Sequence, residues 1–569
     1  MCGIALIAGA WPGADLFGQM LDALASRGEV EETFCDSRLL AGVQRLKIID
    51  RERAVQPLLS TDGRWLLCYN GEIFNYRQLR AELMSRRWQF RTESDTEIVL
   101  AAFGEWGEDA VGRFRGEFAL AIADRATGRI YLARDPVGVK PLYWSCRDGR
   151  LHVASEVKAL VPVGARVFEV PPGHHGWSDP LASSELRGNT ARRRNAASRA
   201  SNGSAGMTEP ALTAYIDLTR LGADQPPIED PADAAKALRR AVEDSIRVRV
   251  DTDLTVGVIL SGGLDSSIVL ANVLAMHPDC VALTIGAPGS DDLAYSRRLC
   301  ADFGVPHEII DVQPGDIRAG DIREAIRMSE LTEYGDIINA VVSVPLFARA
   351  QQLGIKVVLT GDGSDELFAG YPMYEQAGAA ASRRLFLHVI SNLYRTELQR
   401  VDRASMGNGV EARVPYLDPA VVELAMRLPL GLKVRDGQEK WIMRQAFADV
   451  LPGYILRRPK NPMSHSSGLH ERARLYRARF ARMHRSFGYD LLEPVRRDFS
   501  VVLDRCDLDL DRAIAATAAR PDYTAAEHAR DLAGALRWNT VASFGHPARA
   551  ARHRRHPGQR QSVGIATGE

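Results

Sequence analysis

A cysteine at the second position is the first residue of this sequence whose place suggests a chemical task. A thiol becomes a nucleophile only when a base removes its proton, and an α-amino group, with a pKa of about 7.7–8.0, is a base that works near neutrality. After removal of Met1, Cys2 carries such an amino group on its own backbone. We therefore predict that Cys2 is a nucleophile activated by its own α-amine.

Several residues downstream of Cys2 are of the types that hydrolysis of an amino-acid amide requires. Asn70 offers a side-chain amide and Gly71 an unobstructed backbone N–H, which are the two donors of an oxyanion hole. Arg45 is suited to hold an α-carboxylate through two N–H groups, and Asp95 is suited to hold an α-ammonium. These two opposite charges favour a free amino acid as the substrate.

A glycine-rich loop in the second half of the chain is typical of an anion site. The loop, Ser261-Gly262-Gly263-Leu264-Asp265-Ser266-Ser267, follows a predicted buried strand and precedes a predicted helix. Glycines let backbone N–H groups approach a phosphate, and the helix N-terminus adds a favourable dipole. Ser266 and Ser267 can bond phosphate oxygens, and Asp265 is a suitable Mg²⁺ ligand. No GxxxxGK[ST] sequence occurs in the chain, so this is not a Walker A loop.

A second polar loop, Thr360–Tyr371, follows another predicted strand and contains Asp362, Asp365 and Glu366. In a parallel sheet such loops gather at the carboxyl edge, which places this one beside the glycine-rich loop. Acidic residues at that edge can hold Mg²⁺ and transfer protons. The two loops together therefore predict a phosphate and metal site.

Taken together, these motifs resemble the glutamine-hydrolysing asparagine synthetase family. The first part is similar to the class II, N-terminal-nucleophile amidotransferases, and the glycine-rich loop is similar to the pyrophosphate loop of the ATP-pyrophosphatases. The resemblance covers about residues 2–175 and 235–470 in the family's order. The longer matching segments are Tyr69–Tyr76, Ala133–Gly138, Asp402–Met406, Val410–Asp418, Lys440–Arg444 and Arg458–Lys460.

The resemblance implies roles for the matching residues of the first part. Cys2 would attack the side-chain amide of glutamine, release ammonia and form a glutamyl thioester. Asn70 and Gly71 would form the oxyanion hole. The implied glutamine pocket consists of Arg45, Asn70, Gly71, Glu72 and Asp95.

The resemblance also implies roles in the second part, with ATP and Mg²⁺ as cofactors. Asp265 and Asp365 would bind Mg²⁺, and Lys460 would stabilise the charge of the adenylate and of pyrophosphate. The implied ATP site consists of Leu260, Ser261, Gly262, Gly263, Asp265, Ser266, Ser267, Ile285 and Gly361. The ammonia would reach this site through an internal channel.

Two positions depart from the family's pattern. The usual His-Arg-Gly-Pro-Asp loop is Ser26-Arg27-Gly28-Glu29-Val30 here, and Asp362 stands where asparagine synthetases usually carry Glu and β-lactam-forming relatives carry Tyr. A carboxylate at this position fits deprotonation of ammonium or of a tetrahedral adduct, so we expect Asp362 to be catalytic. The expected acceptor is aspartate. The alternative is a specialised-metabolite carboxylate that is amidated or cyclised.

The elements that must position these residues predict an α/β protein with two working domains. Short strands separated by turn signals predict a largely antiparallel sheet system in the first part, and the resemblance implies a four-layer α/β/β/α arrangement there. From about Ala232, strands and helices alternate, which predicts a doubly wound parallel sheet with helical additions. The predicted strands are Cys2–Ala10, Trp65–Tyr69, Phe118–Asp124, Ile130–Arg134, Leu142–Cys146, Leu151–Ser155, Val256–Leu260, Val281–Ile285, His307–Val312 and Lys356–Leu359, and the predicted helices are Tyr76–Ser85, Thr96–Trp106, Ser266–Met276 and Leu293–Phe303.

The predicted domain boundaries follow from these patterns and from composition. We expect a glutaminase domain at 2–175, a linker at 176–231 with an Arg- and Ser-rich insert at 181–209, an ATP-dependent domain at 232–545 and a basic tail at 546–569. The insert has too few apolar residues to offset its ordering entropy, which favours a solvated loop.

Composition narrows the partners that we expect. The 569 residues carry 72 basic and 72 acidic side chains, which argues against a dedicated nucleic-acid binder. Neither a long apolar run nor a signal peptide is evident, so we expect a cytoplasmic protein without a membrane partner. The partners we expect are glutamine, ATP, a carboxylate acceptor and a second copy in a homodimer. A catalytically inactive regulatory protein, and nucleic-acid binding through the arginines at 192–200, remain as further alternatives.

Overall fold

The structure, a computed structural model, describes residues 2–9, 14–180, 207–313, 315–331, 334–461 and 486–493. Residues 1–495 form one compact unit, and every described residue belongs to it. The insert predicted at 181–209 lies outside the described residues except for its last three positions, and the basic tail predicted at 546–569 lies wholly outside them.

Two largely antiparallel sheets are built mainly from the first part of the chain. Their strand orders are β18-β10-β8-β9-β1-β3-β2 and β12-β11-β7-β6-β5-β4, and β10 with β18 is the one parallel pair among them in the described residues. The strands are β1 Cys2–Ala8, β2 Val30–Cys35, β3 Leu39–Arg45, β4 Leu58–Leu59, β5 Trp65–Ile73, β6 Gly116–Asp124, β7 Arg129–Arg134, β8 Tyr143–Arg147, β9 Arg150–Ala154, β10 Val167–Glu169, β11 His174–Ser178, β12 Ala211–Ala214 and β18 Leu492–Glu493.

The alternation of side chains along β1 shows how these sheets form four layers. Ile4 and Leu6 belong to a buried cluster that also includes Leu66 and Ala121 of the other sheet, so the two sheets pack face to face. Ala5 and Ile7 point the other way, into a cluster with α1 and α4. The outer face of the second sheet packs against α2 and α3. These helices are α1 Ala14–Asp22, α2 Tyr76–Ser85, α3 Asp95–Trp106 and α4 Val157–Leu160. The predicted α/β/β/α arrangement is confirmed.

A five-stranded parallel sheet forms the centre of the second part, with the order β15-β14-β13-β16-β17. Its strands are β13 Val256–Ile259, β14 Cys280–Gly286, β15 His307–Asp311, β16 Val357–Leu359 and β17 Glu411–Arg413. Because β13 pairs with both β14 and β16, the loops that leave β13 and β16 lie side by side at one edge. This order places the glycine-rich loop next to the acidic loop, as the sequence predicts.

Helices connect and surround the parallel strands. They are α5 Pro231–Arg249, α6 Leu264–Met276, α7 Asp291–Phe303, α8 Ala319–Ser329, α9 Tyr334–Gln352, α10 Ser364–Phe368, α11 Pro372–Asn392, α12 Glu397–Met406, α13 Pro419–Arg427, α14 Leu430–Lys433, α15 Trp441–Ala446 and α16 Gly453–Leu456. No helix in the described part of the chain is both long and apolar enough to cross a membrane.

Candidate functional sites

The first candidate site is a cavity at the start of β1. Strand pairing places Cys2 opposite Arg45, so the predicted nucleophile and the predicted carboxylate clamp are neighbours. The cavity is lined by Cys2, Arg45, Leu46, Ile48, Ile49, Ala54, Gln56, Tyr69, Gly71, Glu72, Asp95, Thr96 and Glu411. The predicted pocket residues are therefore gathered here, apart from Asn70, which adjoins the cavity through its bond to Cys2.

The Asn70 side chain holds Cys2 with its oxygen and leaves its nitrogen available. The backbone N–H of Cys2 donates to Asn70 Oδ1 over 2.9 Å. Asn70 Nδ2 is buried and has no hydrogen-bond partner among the described residues. An amide donor in this position suits an oxyanion, which forms only when the thiol attacks a carbonyl. Burial raises the pKa of the Cys2 thiol, while the nearby Arg45 works to lower it.

Close packing explains the glycine that follows Asn70. A Cβ atom on Gly71 would lie 2.3 Å from the backbone oxygen of Glu117 on the paired strand β6. Any side chain would therefore force β5 and β6 apart. The close approach of the two strands thus requires glycine at position 71 for packing, whatever its part in the site.

The Arg45 guanidinium is held by a carboxylate that sequence analysis did not identify. Arg45 Nε and Nη2 donate to the two carboxylate oxygens of Glu32 over 2.9 and 3.0 Å, and Nη1 donates to the backbone oxygen of Arg51 over 3.2 Å. Glu32 also accepts from the backbone N–H of Gln56 at 2.8 Å. Glu32 thus fixes the orientation of Arg45 beside the cavity.

Asp95 and Glu72 face the cavity from α3 and β5. Asp95 is the first residue of α3, where the helix dipole favours a negative charge, and it accepts from Tyr69 Oη at 2.7 Å and from the backbone N–H of Ile73 at 3.1 Å. Burial raises the pKa of Asp95, although these two hydrogen bonds oppose the shift. Burial also raises the pKa of Glu72, which is bonded to Arg413.

The second candidate site is a cavity at the carboxyl edge of the parallel sheet. It is lined by Ile259, Ser261, Asp265, Ser266, Asn339, Ser343, Leu346, Phe347, Thr360, Gly361, Asp362, Gly363, Asp365, Glu366, Tyr371, Glu397, Arg400, Val401 and Lys460. The other residues of the predicted ATP site do not line it: Gly262, Gly263 and Ser267 belong to the same loop, Leu260 precedes that loop, and Ile285 lies near the end of β14.

The conformation of the glycine-rich loop explains one of its residues. Gly262 has φ +66°, and a Cβ atom there would lie 2.6 Å from Cβ of Tyr295. Ser267 Oγ is buried and has no hydrogen-bond partner among the described residues, and it does not line the cavity. Arg458 Nη1 donates to the backbone oxygen of Ser261 over 2.7 Å and so braces the loop from behind.

Two carboxylates and two lysines meet at the mouth of this loop. Lys440 Nζ lies 2.5 Å from Asp265 Oδ2 and 2.6 Å from Asp365 Oδ1, and Lys460 Nζ also binds Asp365. Burial works to raise the pKa of Asp365, but the two ammonium groups outweigh it and hold that pKa at about 2. Two ammonium groups thus face two carboxylates at this edge of the sheet, and the four charges balance.

The residues present fit a Mg²⁺ ion that is shared with a phosphate ligand. Among the described residues, no group of three or more His, Cys, Asp or Glu side chains is arranged to hold a metal. Mg²⁺ is commonly bound through one or two carboxylates together with substrate phosphates and water. Asp265 and Asp365 supply that number of carboxylates, as the sequence predicts.

The far end of the cavity carries a mixed set of charges. Arg400 Nη2 donates to Asp362 Oδ1 over 2.6 Å, and its Nη1 donates to Ser343 Oγ over 3.0 Å. Glu366 accepts from Tyr371 Oη at 2.6 Å. Burial, together with the neighbouring Glu397 and Asp365 charges, raises the pKa of Glu366 to about 8. The predicted base Asp362 therefore lies in the cavity, in an ion pair with Arg400.

Sequence reasoning missed several residues that shape these sites. Lys440 lies in a segment that resembles the family but received no role, and Arg400 is adjacent to such a segment. Glu411 lies in another such segment and also received no role, and Glu32 carried no sequence signal, because its partner Arg45 lies on another strand. The missed residues are Glu32, Gln56, Glu397, Arg400, Glu411 and Lys440, whereas Glu366 was among the acidic residues that the sequence places at this edge.

Known protein families and relatives match both parts of this chain. The glutamine amidotransferase domain family matches residues 1–172, and the asparagine synthase family matches residues 237–386 and 375–488. Asparagine synthetase B (glutamine-hydrolysing) of Escherichia coli is 33% identical over 456 residues, which cover 76% of this chain and 75% of the relative. A putative asparagine synthetase (glutamine-hydrolysing) of Methanocaldococcus jannaschii is 31% identical over 494 residues, which cover 77% of this chain and 84% of the relative.

Proposed function

Because this chain belongs to the glutamine-hydrolysing asparagine synthetase family, we propose that it is a carbon–nitrogen ligase that transfers the amide nitrogen of glutamine to an activated carboxylate. ATP would be cleaved to AMP and pyrophosphate in the activation step. One observation carries the proposal, which is that two such sites occur in one compact unit. The first has the buried Cys2 beside Asn70 Nδ2, a donor that has no hydrogen-bond partner among the described residues. The second has a glycine-rich loop with paired carboxylates and lysines.

In the first cavity we propose that Cys2 attacks the side-chain carbonyl carbon of glutamine. The thiol proton passes to the leaving nitrogen, ammonia departs and a glutamyl thioester remains for hydrolysis. Asn70 Nδ2 donates to the oxyanion, and the N–H groups of Arg45 that are not bound to Glu32 hold the α-carboxylate. Asp95 and Glu72 face the α-ammonium. The buried position of Cys2 supports this assignment, because a dry site strengthens each of these polar contacts.

In the second cavity we propose that ATP binds along the loop Ser261–Ser267 with its phosphates towards Lys440 and Lys460. Asp265 and Asp365 would hold Mg²⁺, which supplies positive charge to the phosphate oxygens. The lysines neutralise the charge that develops on pyrophosphate as the acceptor carboxylate attacks the α-phosphate. The contacts among the two carboxylates and the two lysines support this placement. Lys440 Nζ lies within 2.6 Å of oxygens of both Asp265 and Asp365, and Lys460 Nζ binds Asp365.

We propose aspartate as the acceptor and Asp362 as the group that removes a proton from the attacking nitrogen. The relatives reported above are named asparagine synthetases, which supports aspartate as the acceptor. A specialised-metabolite carboxylate is the second candidate. One observation favours it: the carboxylate at 362 is one methylene shorter than the usual Glu and is paired with Arg400.

Two variants and a product analysis test the proposal. Cys2→Ala should abolish glutamine use and leave ammonium-dependent amide formation intact, and continued hydrolysis of glutamine would exclude Cys2 as the nucleophile. Asp265→Ala should abolish pyrophosphate release with either nitrogen source, and unchanged ATP cleavage would contradict the loop assignment. Mass spectrometry of the amide product, with aspartate and other acids offered, distinguishes the two acceptor classes.

A further inference from the structure

One residue that lines the glutamine cavity comes from far along the chain. Twelve of the thirteen lining residues lie between Cys2 and Thr96, and the thirteenth is Glu411. Glu411 is the first residue of β17, the edge strand of the parallel sheet, and its side chain is almost fully buried. The first cavity is therefore completed by a carboxylate that belongs to the ATP-dependent part of the protein.

The contacts of Glu411 fix its charge and its position. Arg413 Nε, two residues along the same strand, donates to Glu411 Oε1 over 2.7 Å, while another nitrogen of Arg413 binds Glu72. Burial works to raise the pKa of Glu411, but the Arg413 guanidinium, Lys140 and other positive charge nearby together outweigh it and hold that pKa at about 2. Glu411 is thus ionised at neutral pH, inside a cavity where unbalanced charge is costly.

Glu411 is the ionised carboxylate that the second part of the chain adds to the cavity wall. Glu72, Asp95 and Glu411 contribute three carboxyl groups to this wall, and Arg45 contributes one guanidinium. Burial raises the pKa of Glu72, and Arg413, behind the wall, is shared between Glu72 and Glu411. A ligand that carries an ammonium group can contact the Glu411 carboxylate, whereas a ligand with the same amide and carboxylate but no ammonium cannot.

We propose that Glu411 is a substrate-binding residue that recognises the α-ammonium of glutamine together with Asp95, so that the glutamine site is built from both parts of the chain. The inference rests on the proposed function, because it assumes that glutamine is the nitrogen donor. It has a structural consequence as well. The backbone oxygen of Arg413 accepts from the backbone N–H of Thr360 over 3.1 Å, and Thr360 lines the second cavity. The strand that contacts glutamine therefore also supports the acceptor loop.

The test compares two amide substrates that differ only in the α-amino group. Glutamine and 4-carbamoylbutanoate share the side-chain amide and the carboxylate, but only glutamine carries the ammonium. Loss of a hydrogen bond to a charged group corresponds to a decrease of about 10- to 100-fold in kcat/KM. We expect Glu411→Gln to show this decrease in kcat/KM with glutamine. With 4-carbamoylbutanoate we expect kcat/KM to change by less than about threefold, which is close to the small effect typical of substitutions that remove no specific contact. Where the analogue is not turned over, its inhibition constant replaces kcat/KM.

A matched control is available in Glu117→Gln. Glu117 is also buried and bound to an arginine, Arg249, but its side chain does not line the cavity. The control should leave the ratio of the two substrates unchanged, and ammonium-dependent amide formation should stay intact in the Glu411 variant. If Glu411→Gln does not fold, Glu411→Asp keeps the charge, moves it back by one methylene and should give a smaller selective loss of glutamine use.

The outcomes separate the inference from the function on which it rests. If Glu411→Gln weakens both substrates equally, or if the Glu117 control reproduces the selective loss, Glu411 does not contact the ammonium. If the wild-type protein hydrolyses neither glutamine nor the analogue, the proposed function itself fails. Selective loss with glutamine alone supports the inference.

Discussion

Replacing Asn70 by alanine tests the proposed oxyanion hole, because the structure allows the effect on folding and the effect on catalysis to be calculated separately. In the free protein, the side chain makes one bond, from the Cys2 N–H to Oδ1, and leaves Nδ2 buried without a partner among the described residues. The substitution removes both the bond and the unpartnered donor. Its effect on folding and its effect on catalysis should therefore differ widely.

The folding side of the calculation nearly cancels. The lost hydrogen bond contributes about 0.5–1.5 kcal/mol, and relief of a buried unsatisfied donor returns about 1–3 kcal/mol. A small void left by the shortened side chain costs on the order of 1 kcal/mol. We expect the free energy of unfolding to change by less than about 2 kcal/mol. The catalytic side does not cancel, because removal of one oxyanion donor costs about 2.7–4 kcal/mol, or about 100- to 1000-fold in kcat.

The assay is steady-state release of glutamate from glutamine, with ammonium-dependent amide formation measured on the same preparation. Asn70→Ala should lower the first by two to three orders of magnitude, by the oxyanion-hole estimate of roughly 100- to 1000-fold, and leave the second unchanged. Asn70→Asp is the matched variant, since it keeps an oxygen for the Cys2 N–H and lacks the donor. A loss below about tenfold, or an equal loss with ammonium, would refute the oxyanion role.

Two further predictions concern ion pairs around the first cavity. Glu32→Gln should raise KM for glutamine about 5- to 10-fold with little change in kcat, because the pair of hydrogen bonds that orients Arg45 is weakened. Glu31→Gln makes the same change of charge on the adjacent residue and should leave KM unchanged. A lower KM in the Glu32 variant would mean that Glu32 competes with the substrate carboxylate. Asp402→Asn should lower the free energy of unfolding by about 1.5–3 kcal/mol, as measured by urea denaturation, because it removes one of the two carboxylates that pair with the buried Arg27. The Arg27 and Arg403 guanidinium groups outweigh burial and hold the pKa of Asp402 below its ordinary value. The wild-type protein should therefore lose this contribution to the free energy of unfolding as the pH falls below about 4. The free energy of unfolding of the variant should fall less steeply over the same pH range, and an equally steep fall would contradict the assignment.

Much of the candidate site was predictable because its residues sit where local sequence fixes geometry. The glycine-rich loop follows β13 directly, and the acidic loop follows β16 directly. Once the strands are recognised as parallel, both loops must meet at the carboxyl edge. The layered arrangement of the first part followed from the family resemblance and not from β1 itself, since β1 is buried at every position and its sequence shows no alternation of polar and apolar residues. Strand bounds differ from the predictions by only one to four residues, as with β1, which ends at Ala8 rather than Ala10, and β5, which continues to Ile73.

What escaped prediction depends on contacts between distant parts of the chain. Strand β17 has three residues, two of them charged, so neither its length nor its pattern marks it as a strand. Its place in the sheet comes from pairing with β16, and that pairing brings Glu411 to the glutamine cavity. Arg400 likewise meets Asp362 only through the packing of α12. Single-sequence periodicity contains no information about such pairs.

Helix α12 shows why the two cavities are not independent. Arg400 and Val401 line the second cavity, and the next residue, Asp402, accepts from Arg27 Nη1 over 2.9 Å. Arg27 Nε in turn donates to the backbone oxygen of Cys2 over 3.0 Å. Consecutive residues of one helix thus line the second cavity and, through Arg27, contact Cys2.

Buried ion pairs of this kind are weak sources of stability, because desolvation offsets most of the attraction. Their geometric effect is larger: a guanidinium that binds Asp402, Glu156 and the Cys2 backbone at once tolerates little displacement of any partner. A shift of α12 must therefore either move Cys2 or break a buried charge pair. The charged contact through Arg27 thus links the position of α12 to the position of the start of β1.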